Sequence, residues 1–391
     1  MKHPIFYERE ELFDVNMIIT MIVTVNGQIP EDKMREAFAE AVRINEILNS
    51  RIVIEDDGSA FYVDNDKPRS FIEVTDEDLD EVRKQQERVR FRIEEGEYVR
   101  VFAKCCEGKT TLLFMMHHIA GDGKSLLYFA EDFMALHAQG ERSVKKIRTA
   151  ETVKKLDPIS TAIVRRYNRR WNGHVFTIED LDKAHEMYWK ERATYVETEV
   201  LEKEQMDAIL DECRKSGVKY TAYLTASLIK DEKGVQDIGY ATNYRHDGNR
   251  SMGNQASGIS VKHKYDPTKS VYENARVIQK KFTRKYEADN KASYILNFMS
   301  SVKPTLVDAI CLEHTGFYSD ETSDKFARLL GFKGKTKDYS ITNLTVADIP
   351  TEYGEFSIDQ ISFIGPVVSY GKNIISVITC NGKTVITRHH F

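Results

Sequence analysis

The sequence has little of what secreted and membrane proteins rely on. Among 391 residues there are five cysteines, irregularly placed, with Cys105 and Cys106 adjacent and no CxxC. That excludes a disulfide framework and a zinc ribbon and fits a reducing compartment. The longest apolar stretch, Met17 to Val25, is too short to span a bilayer and is interrupted by threonine. The first residues, MKHPIFYEREELF, are charged almost from the start and lack the apolar core of a signal peptide. Cationic excess is missing too. Lys and Arg total 56 against 61 Asp and Glu, a net charge of −5, which argues against a nucleic-acid coat. Eight prolines and 21 glycines exclude a fibrous or low-complexity chain. There is no serine nucleophile elbow, P-loop or GxGxxG, so a covalent acyl-enzyme and nucleotide hydrolysis are disfavoured. A soluble cytoplasmic protein of two or three domains is expected.

What is present alternates between strand and helix patterns. Met17 to Val25 reads as a buried strand. Pro30 opens a helix whose Met34, Ala37, Phe38, Ala41, Val42 and Leu48 share a face. A hairpin turns at Asp57-Gly58. A second helix is expected from a cap at Thr75 or Asp76, with Leu79, Val82, Gln86 and Val89 along one face. A further hairpin runs from Tyr98 to Lys104 and returns as Thr110 to Met116. That return, TTLLFMM, is apolar on both faces and is expected at the centre of a sheet. The helix after it is expected to end with Gly140 as its first residue past the cap.

Between Arg142 and Arg170, ten cations face only Glu151 and Asp157. This basic stretch, 142–170, reads as a linker. It divides an N-terminal lobe, 1–185, from a C-terminal lobe, 190–391. The second lobe carries a helix over Lys203 to Ser216, an amphipathic helix over Pro267 to Glu287, and four closing strands with a hairpin at Asn381-Gly382. The terminal pair His389 and His390 reads as a solvated end. No short repeat is present, and the two halves share a loose strand-helix-strand rhythm.

The most informative segment is His117-His118-Ile119-Ala120-Gly121-Asp122-Gly123, where the apolar strand ends. Adjacent strand residues point to opposite sides, so only one of the two histidines faces any given cavity, and a metal site using both is disfavoured. The glycines keep His118 and Asp122 from stacking as helical neighbours, and Gly123 leaves room for close approach to the backbone. An arbitrary His-His pair is more often two partly buried strand-end residues than a site. The full HHxxxDG pattern would arise by chance on the order of once in a thousand such chains.

HHxxxDG at such a strand end resembles the motif of the chloramphenicol-acetyltransferase-like superfamily. That group includes nonribosomal-peptide condensation domains, plant acyl-CoA alcohol acyltransferases, polyketide-associated acyltransferases and wax ester synthases. GQIPEDKMREAFAEAVRINEILNSRIV resembles its early helix and strand, with Asn45-Glu46 in place of the usual His-Pro. Thr242-Asn243-Tyr244-Arg245 followed by Gly253-Asn254 resembles its N-x-R … G-N segment. Ser340 to Leu344 resembles its S-N-x-G strand, with Thr345 where the glycine would be, and Phe363 to Pro366 with Asn381-Gly382 resembles its closing hairpin.

The resemblance implies an α/β fold of two chloramphenicol-acetyltransferase-like lobes, each a mixed sheet with helices, and an active-site tunnel between them. It implies acyl transfer from a pantetheine thioester to a hydroxyl, without metal, with His118 as general base. His117 would point away and support the strand. Asp122 would turn from the cavity onto Arg245, whose fork suits a carboxylate; the alternative is a surface arginine beside Asp247. The oxyanion donors would be a backbone N–H near Gly123 or the hydroxyl of Ser340 or Thr342, although strand serines and threonines are more often ladder residues than catalysts. Asn343 would shape the tunnel.

No cofactor would be bound permanently. Acyl-CoA or a phosphopantetheine thioester would be the co-substrate, acyl-CoA being favoured because the chain carries no carrier or adenylation module. The expected partners are a small-molecule acceptor and, for the second donor, an acyl carrier protein, with no nucleic acid, no membrane span and a monomeric chain. Two alternatives stand beside this: a condensation-type enzyme forming an amide from a carrier-bound thioester, and a catalytically idle interaction module.

Overall fold

The computed structural model describes residues 2–138, 140, 142–150, 155–245, 248–288, 294–368 and 371–391. Glu151, Lys154 and Asp247, which figure in the reading above, lie outside them.

The chain opens with β1 (Lys2–Pro4), α1 (Glu10–Phe13), β2 (Ile18–Asn26) and α2 (Glu31–Ile44). It continues through β3 (Ser50–Ile54), β4 (Ala60–Asp64), β5 (Phe71–Val74), α3 (Leu79–Glu87), β6 (Val99–Cys106), β7 (Lys109–His117) and α4 (Gly123–His137). Helices α5 (Pro158–Arg170) and α6 (Ile178–Trp189) lead to β8 (Tyr195–Leu201), α7 (Lys203–Lys215), α8 (Tyr220–Leu228), β9 (Val235–Asn243), β10 (Ala256–Lys264) and α9 (Val271–Tyr286). The last part holds α10 (Tyr294–Ser301), α11 (Pro304–Leu312), α12 (Glu321–Leu330), β11 (Tyr339–Val346), β12 (Glu352–Tyr353), β13 (Phe356–Ile364), β14 (Asn373–Cys380) and β15 (Lys383–His390).

Two six-stranded mixed sheets organise these elements, in the orders β12-β13-β2-β7-β6-β5 and β10-β9-β11-β14-β15-β8. TTLLFMM forms most of β7, which lies between β2 and β6 with both of its faces buried from Leu112 onward. An apolar run needs cover on both sides, and a central strand supplies it. Strands β12 and β13 come late in the chain yet sit in the first sheet, where β13 pairs antiparallel with β2. Helices α10 to α12 likewise bury Phe298, Leu306, Ile310 and Phe326 in the first core rather than the second.

The structure corrects several expectations. The stretch 142–170 is not a free linker. Lys145 N–H donates to Ile44 O, Arg148 N–H to Met252 O and Ala150 N–H to Asn254 O, and Pro158–Arg170 is a helix capped by Asp157. That helix buries Ser160 and Val164 and turns its arginines outward. Helix α3 starts three residues later than a Thr75 cap requires. Phe71–Val74 pairs parallel with β6, Thr75 N–H extends that ladder to Ala103 O, and Asp78 caps the helix. The helix stops at Glu87, and Val89 is 48 % exposed. Helix α4 ends at His137 with Ala138 as cap. Gly140 lies two residues past that cap and donates its N–H to Ala135 O. His389 is not a solvated end. It lies in β15, is 1 % exposed, donates Nδ1–H to Gly365 O and sits 3.6 Å from Glu87. Pairing of β15 with both β14 and β8 carries it inside.

Among the described residues no single helix is long and apolar enough to cross a membrane.

Candidate active site

Strand β7 ends at His117, and the chain then makes a short 3₁₀ turn over His118–Ala120 before α4 begins. The turn is held from three sides. His118 N–H donates to Met17 O, Gly121 N–H to His118 O, and Gly253 N–H to Ala120 O. Gly253 comes from the second lobe. Its φ is +115°, and an added Cβ would lie 2.2 Å from Arg148 O, so both the backbone angle and the space require glycine.

Asp122 caps α4 by accepting from Ser125 N–H. Its other oxygen accepts from Arg245 Nη1 at 2.6 Å and from Gln255 N–H at 2.9 Å. Arg245 also donates to Ser125 Oγ at 2.6 Å. Burial pushes the Asp122 carboxyl up, but Arg245 and the two amides outweigh it and hold it below the usual carboxylate range. Asp122 is therefore an ionised latch joining the lobes, with no proton to exchange near neutral pH.

The two histidines have opposite surroundings. His117 is buried against Phe91, and its Nδ1 accepts from Ile119 N–H. Burial, then the charges of His118, Arg90 and Arg100, push it down to about 3, so it is neutral. His118 lies at the seam of the lobes with 17 % of its side chain exposed, and its Nδ1 is 3.0 Å from Glu11 Oε1. Burial pulls the His118 imidazole down, but Glu11 and Asp122 outweigh it and raise it above the ordinary histidine value.

Glu11 is a site residue that the sequence reading missed. It sits on the one-turn helix α1 between Glu10 and the fully buried Leu12 and Phe13, and is itself 2 % exposed. Asn254, from the segment that also supplies Gly253, donates to the same Glu11 oxygen. The only signal was a charged residue beside the Leu-Phe pair.

Gly123 does leave room, but the protein fills it: an added Cβ would lie 2.7 Å from the Phe363 ring and 3.1 Å from Leu344. Ser340 and Thr342 sit within β11, in register with Ile374 and Ser376 of β14. Asn343 donates to Thr221 Oγ1 of α8 and accepts from Thr345 N–H. Thr345, aligned above with a glycine, has φ +62° beside a register shift in β11. A left-handed conformation is natural for glycine and strained for a β-branched residue.

Two surface grooves are strongly basic, and neither is lined by His118. One, of about 660 Å³, is bordered by Arg165, Arg166, Arg169 and Arg170 of α5; the other, of about 460 Å³, by Lys262, Lys281, Arg284 and Lys285.

No family model matches the sequence, and no curated protein sequence matches it. Solved structures do. The first condensation domain of the CDA synthetase superposes with a TM-score of 0.66 at 12% identity, covering 100% of this chain and 91% of that one. This chain has the condensation-domain fold. The same fold relates it to the TRI3 trichothecene 15-O-acetyltransferase of Fusarium sporotrichioides, with a TM-score of 0.63, 12% identity and coverage of 99% and 89%. It also relates it to the starter condensation domain of rhizomide synthetase RzmA, solved with C8-CoA, with a TM-score of 0.59, 10% identity and coverage of 100% and 89%. In the condensation-domain fold as built here, the HHxxxDG turn lies where the two lobes are pinned together by Asp122 and Arg245.

Proposed function

We propose that the protein is an acyltransferase that moves an acyl group from a pantetheine thioester, preferentially acyl-CoA, to a hydroxyl acceptor. The observation that carries this is the pairing at the lobe seam of a partly exposed, basic His118 with an Asp122 locked onto Arg245. His118 takes the acceptor's proton as its oxygen attacks the thioester carbonyl. The tetrahedral oxyanion then collapses, the carbon–sulfur bond breaks, and the imidazolium returns the proton to the leaving thiolate. Main-chain N–H groups at the start of α4 suit the oxyanion, because the helix end carries partial positive charge. No side-chain nucleophile is needed.

The donor preference rests on the O-acetyltransferase and the CoA complex among the similar structures and on the basic groove of α5. Free CoA brings more phosphate charge than a carrier arm, and such a groove suits it. The test is a panel of acyl-CoA donors with alcohol and amine acceptors, read by thiol release, beside an acylated carrier protein. Ester formation from acyl-CoA is expected. Turnover of the carrier alone, with an amine, would move the assignment to the condensation reaction. Turnover of neither would leave an idle module. Neutralising Arg165, Arg166, Arg169 and Arg170 together should raise the KM for acyl-CoA and flatten its salt dependence; an unchanged KM would leave the groove without a donor role.

A further inference from the structure

We infer that Glu11 is the positioning residue of His118: its carboxylate holds the proton on Nδ1 and so leaves Nε2 as the nitrogen that works. The inference rests on the reading of His118 as a base. A neutral imidazole has one protonated and one bare nitrogen, and only the bare one accepts a proton. Which is bare depends on what faces the other. Here Glu11 Oε1 lies 3.0 Å from Nδ1. Burial raises the Glu11 carboxyl above its ordinary value, and His118 and Asn254 oppose that; in its ionised form it has no proton to give, so the nitrogen facing it, Nδ1, carries one. After proton transfer the same carboxylate stabilises the imidazolium, as the buried acid of a hydrolase triad does.

Among the described residues no other side chain competes for that role. Asp122, the other acid near the ring, is committed to Arg245, Ser125 and Gln255. Glu10 faces the ring more weakly from the same short helix, and His117 points to the other side of the strand, where it is neutral. From the second lobe the ring's neighbourhood receives Arg245, held by Asp122, and Asn254, which donates to Glu11 rather than to His118. The one rival is the ring's own main-chain carbonyl, which also lies within reach of it. Residues far apart in the chain, Glu11, His118 and Asn254, thus meet in one chain of polar contacts that crosses both lobes. A carboxylate this deeply buried is costly to keep unless it is paired, and His118 is the charged partner that the structure offers it.

The experiment reads His118 directly by ¹⁵N NMR of the histidine side chains, assigned with His118→Gln, and needs no acyl transfer. In the wild type the neutral ring should be the Nδ1–H form and its pKa should lie above 6.5. Glu11→Gln, nearly isosteric, should lower that pKa by roughly 1–2 units through loss of the opposite charge. Asn254→Ala should raise it, because a carboxylate stripped of a donor attracts His118 more strongly. A purely structural role would not move the two variants in opposite directions. In turnover, Glu11→Gln should carry the acid limb of kcat/KM to lower pH by the same amount. Its kcat should fall on the order of 10-fold and that of Glu11→Ala on the order of 100-fold, with KM little changed. An unchanged tautomer and pKa in Glu11→Gln would assign the ring to its own carbonyl and overturn the inference, whatever the activity. If the pKa shifts as stated while His118→Ala still transfers acyl groups, the pair stands as a structural contact, and both the positioning role and the base fail.

Discussion

The region behind the first sheet that receives His117 and the lobe seam that receives His118 are one residue apart in the chain and opposite in charge. Behind the sheet, His117 meets Phe91, with Arg100 stacked on that ring 4.0 Å from its centre, and is neutral. At the seam, His118 meets Glu11 and Asp122 and gains basicity. The pleat explains the divergence. Adjacent residues of an extended chain leave it on opposite faces, and here one face looks into a cation-lined core and the other onto acids. The lesson is that a doubled histidine need not be a doubled function. One ring is kept uncharged by burial; the other is made more basic by Asp122 of its own motif and by Glu11 from elsewhere in the chain.

The largest effect expected from breaking this arrangement is at the latch. The His118 side is tied to the second lobe through Arg245 on Asp122. Asp122→Ala and Arg245→Ala should each destabilise by roughly 3–5 kcal/mol, since each leaves a buried charge unpaired. The double variant should cost far less than the sum. Denaturant unfolding of the four proteins measures this, and additive losses would mean that the pair is not a latch.

Next come the histidines themselves. His118→Ala should lose about 100-fold or more in transfer while staying folded, and His117→Ala should lose stability more than chemistry. The reverse pattern would interchange the two sides.

The contrast also has a pH signature. His117 is pushed down to about 3 in the folded chain, while in the unfolded chain it titrates near 6.5. Above pH 6.5 it is neutral in both states and costs nothing. Between 6.5 and 3 the unfolded chain binds the proton and the folded chain does not, so stability falls as the pH falls. His185 and His137, each pushed down to about 4 by burial, act in the same sense. Replacing His117 with leucine should therefore reduce the loss between pH 7.5 and 5 by up to about 2 kcal/mol. Parallel pH profiles for the two proteins would show that His117 is not held neutral.

The smallest expected effect lies in the wall of the seam. Leu344 packs at Gly123, and the next residue, Thr345, is left-handed. Thr345→Gly should raise stability by roughly 0.5–1 kcal/mol, relief of strain exceeding the added freedom of the unfolded chain. A loss on substitution would mean that the threonine side chain contributes more than its backbone costs.

Much of the frame was legible because it rests on local rules. The apolar run of β7, the turn at Asn381-Gly382 with both residues at positive φ, and the capped helix of Val271–Tyr286 follow from neighbours in sequence. Asp122 and Arg245 were legible as a pair only through the motif, since 123 positions separate them. Helices α10 to α12 were not legible. Helix α11 is buried from Thr305 to Leu312, so it has no polar stripe to reveal a helical period.

By itself, then, the sequence determined the strand that delivers two histidines to a glycine-bounded turn, and the alternation that sends them to opposite faces. Tertiary structure alone decided which face is acidic. It brought Glu11 and Asn254 to His118, drew His389 into a sheet, and seated Phe363 where Gly123 leaves space. The physical reason is that a side chain's direction follows from its own backbone, whereas its charge environment is set by groups whose distance in space bears no relation to their distance in the chain.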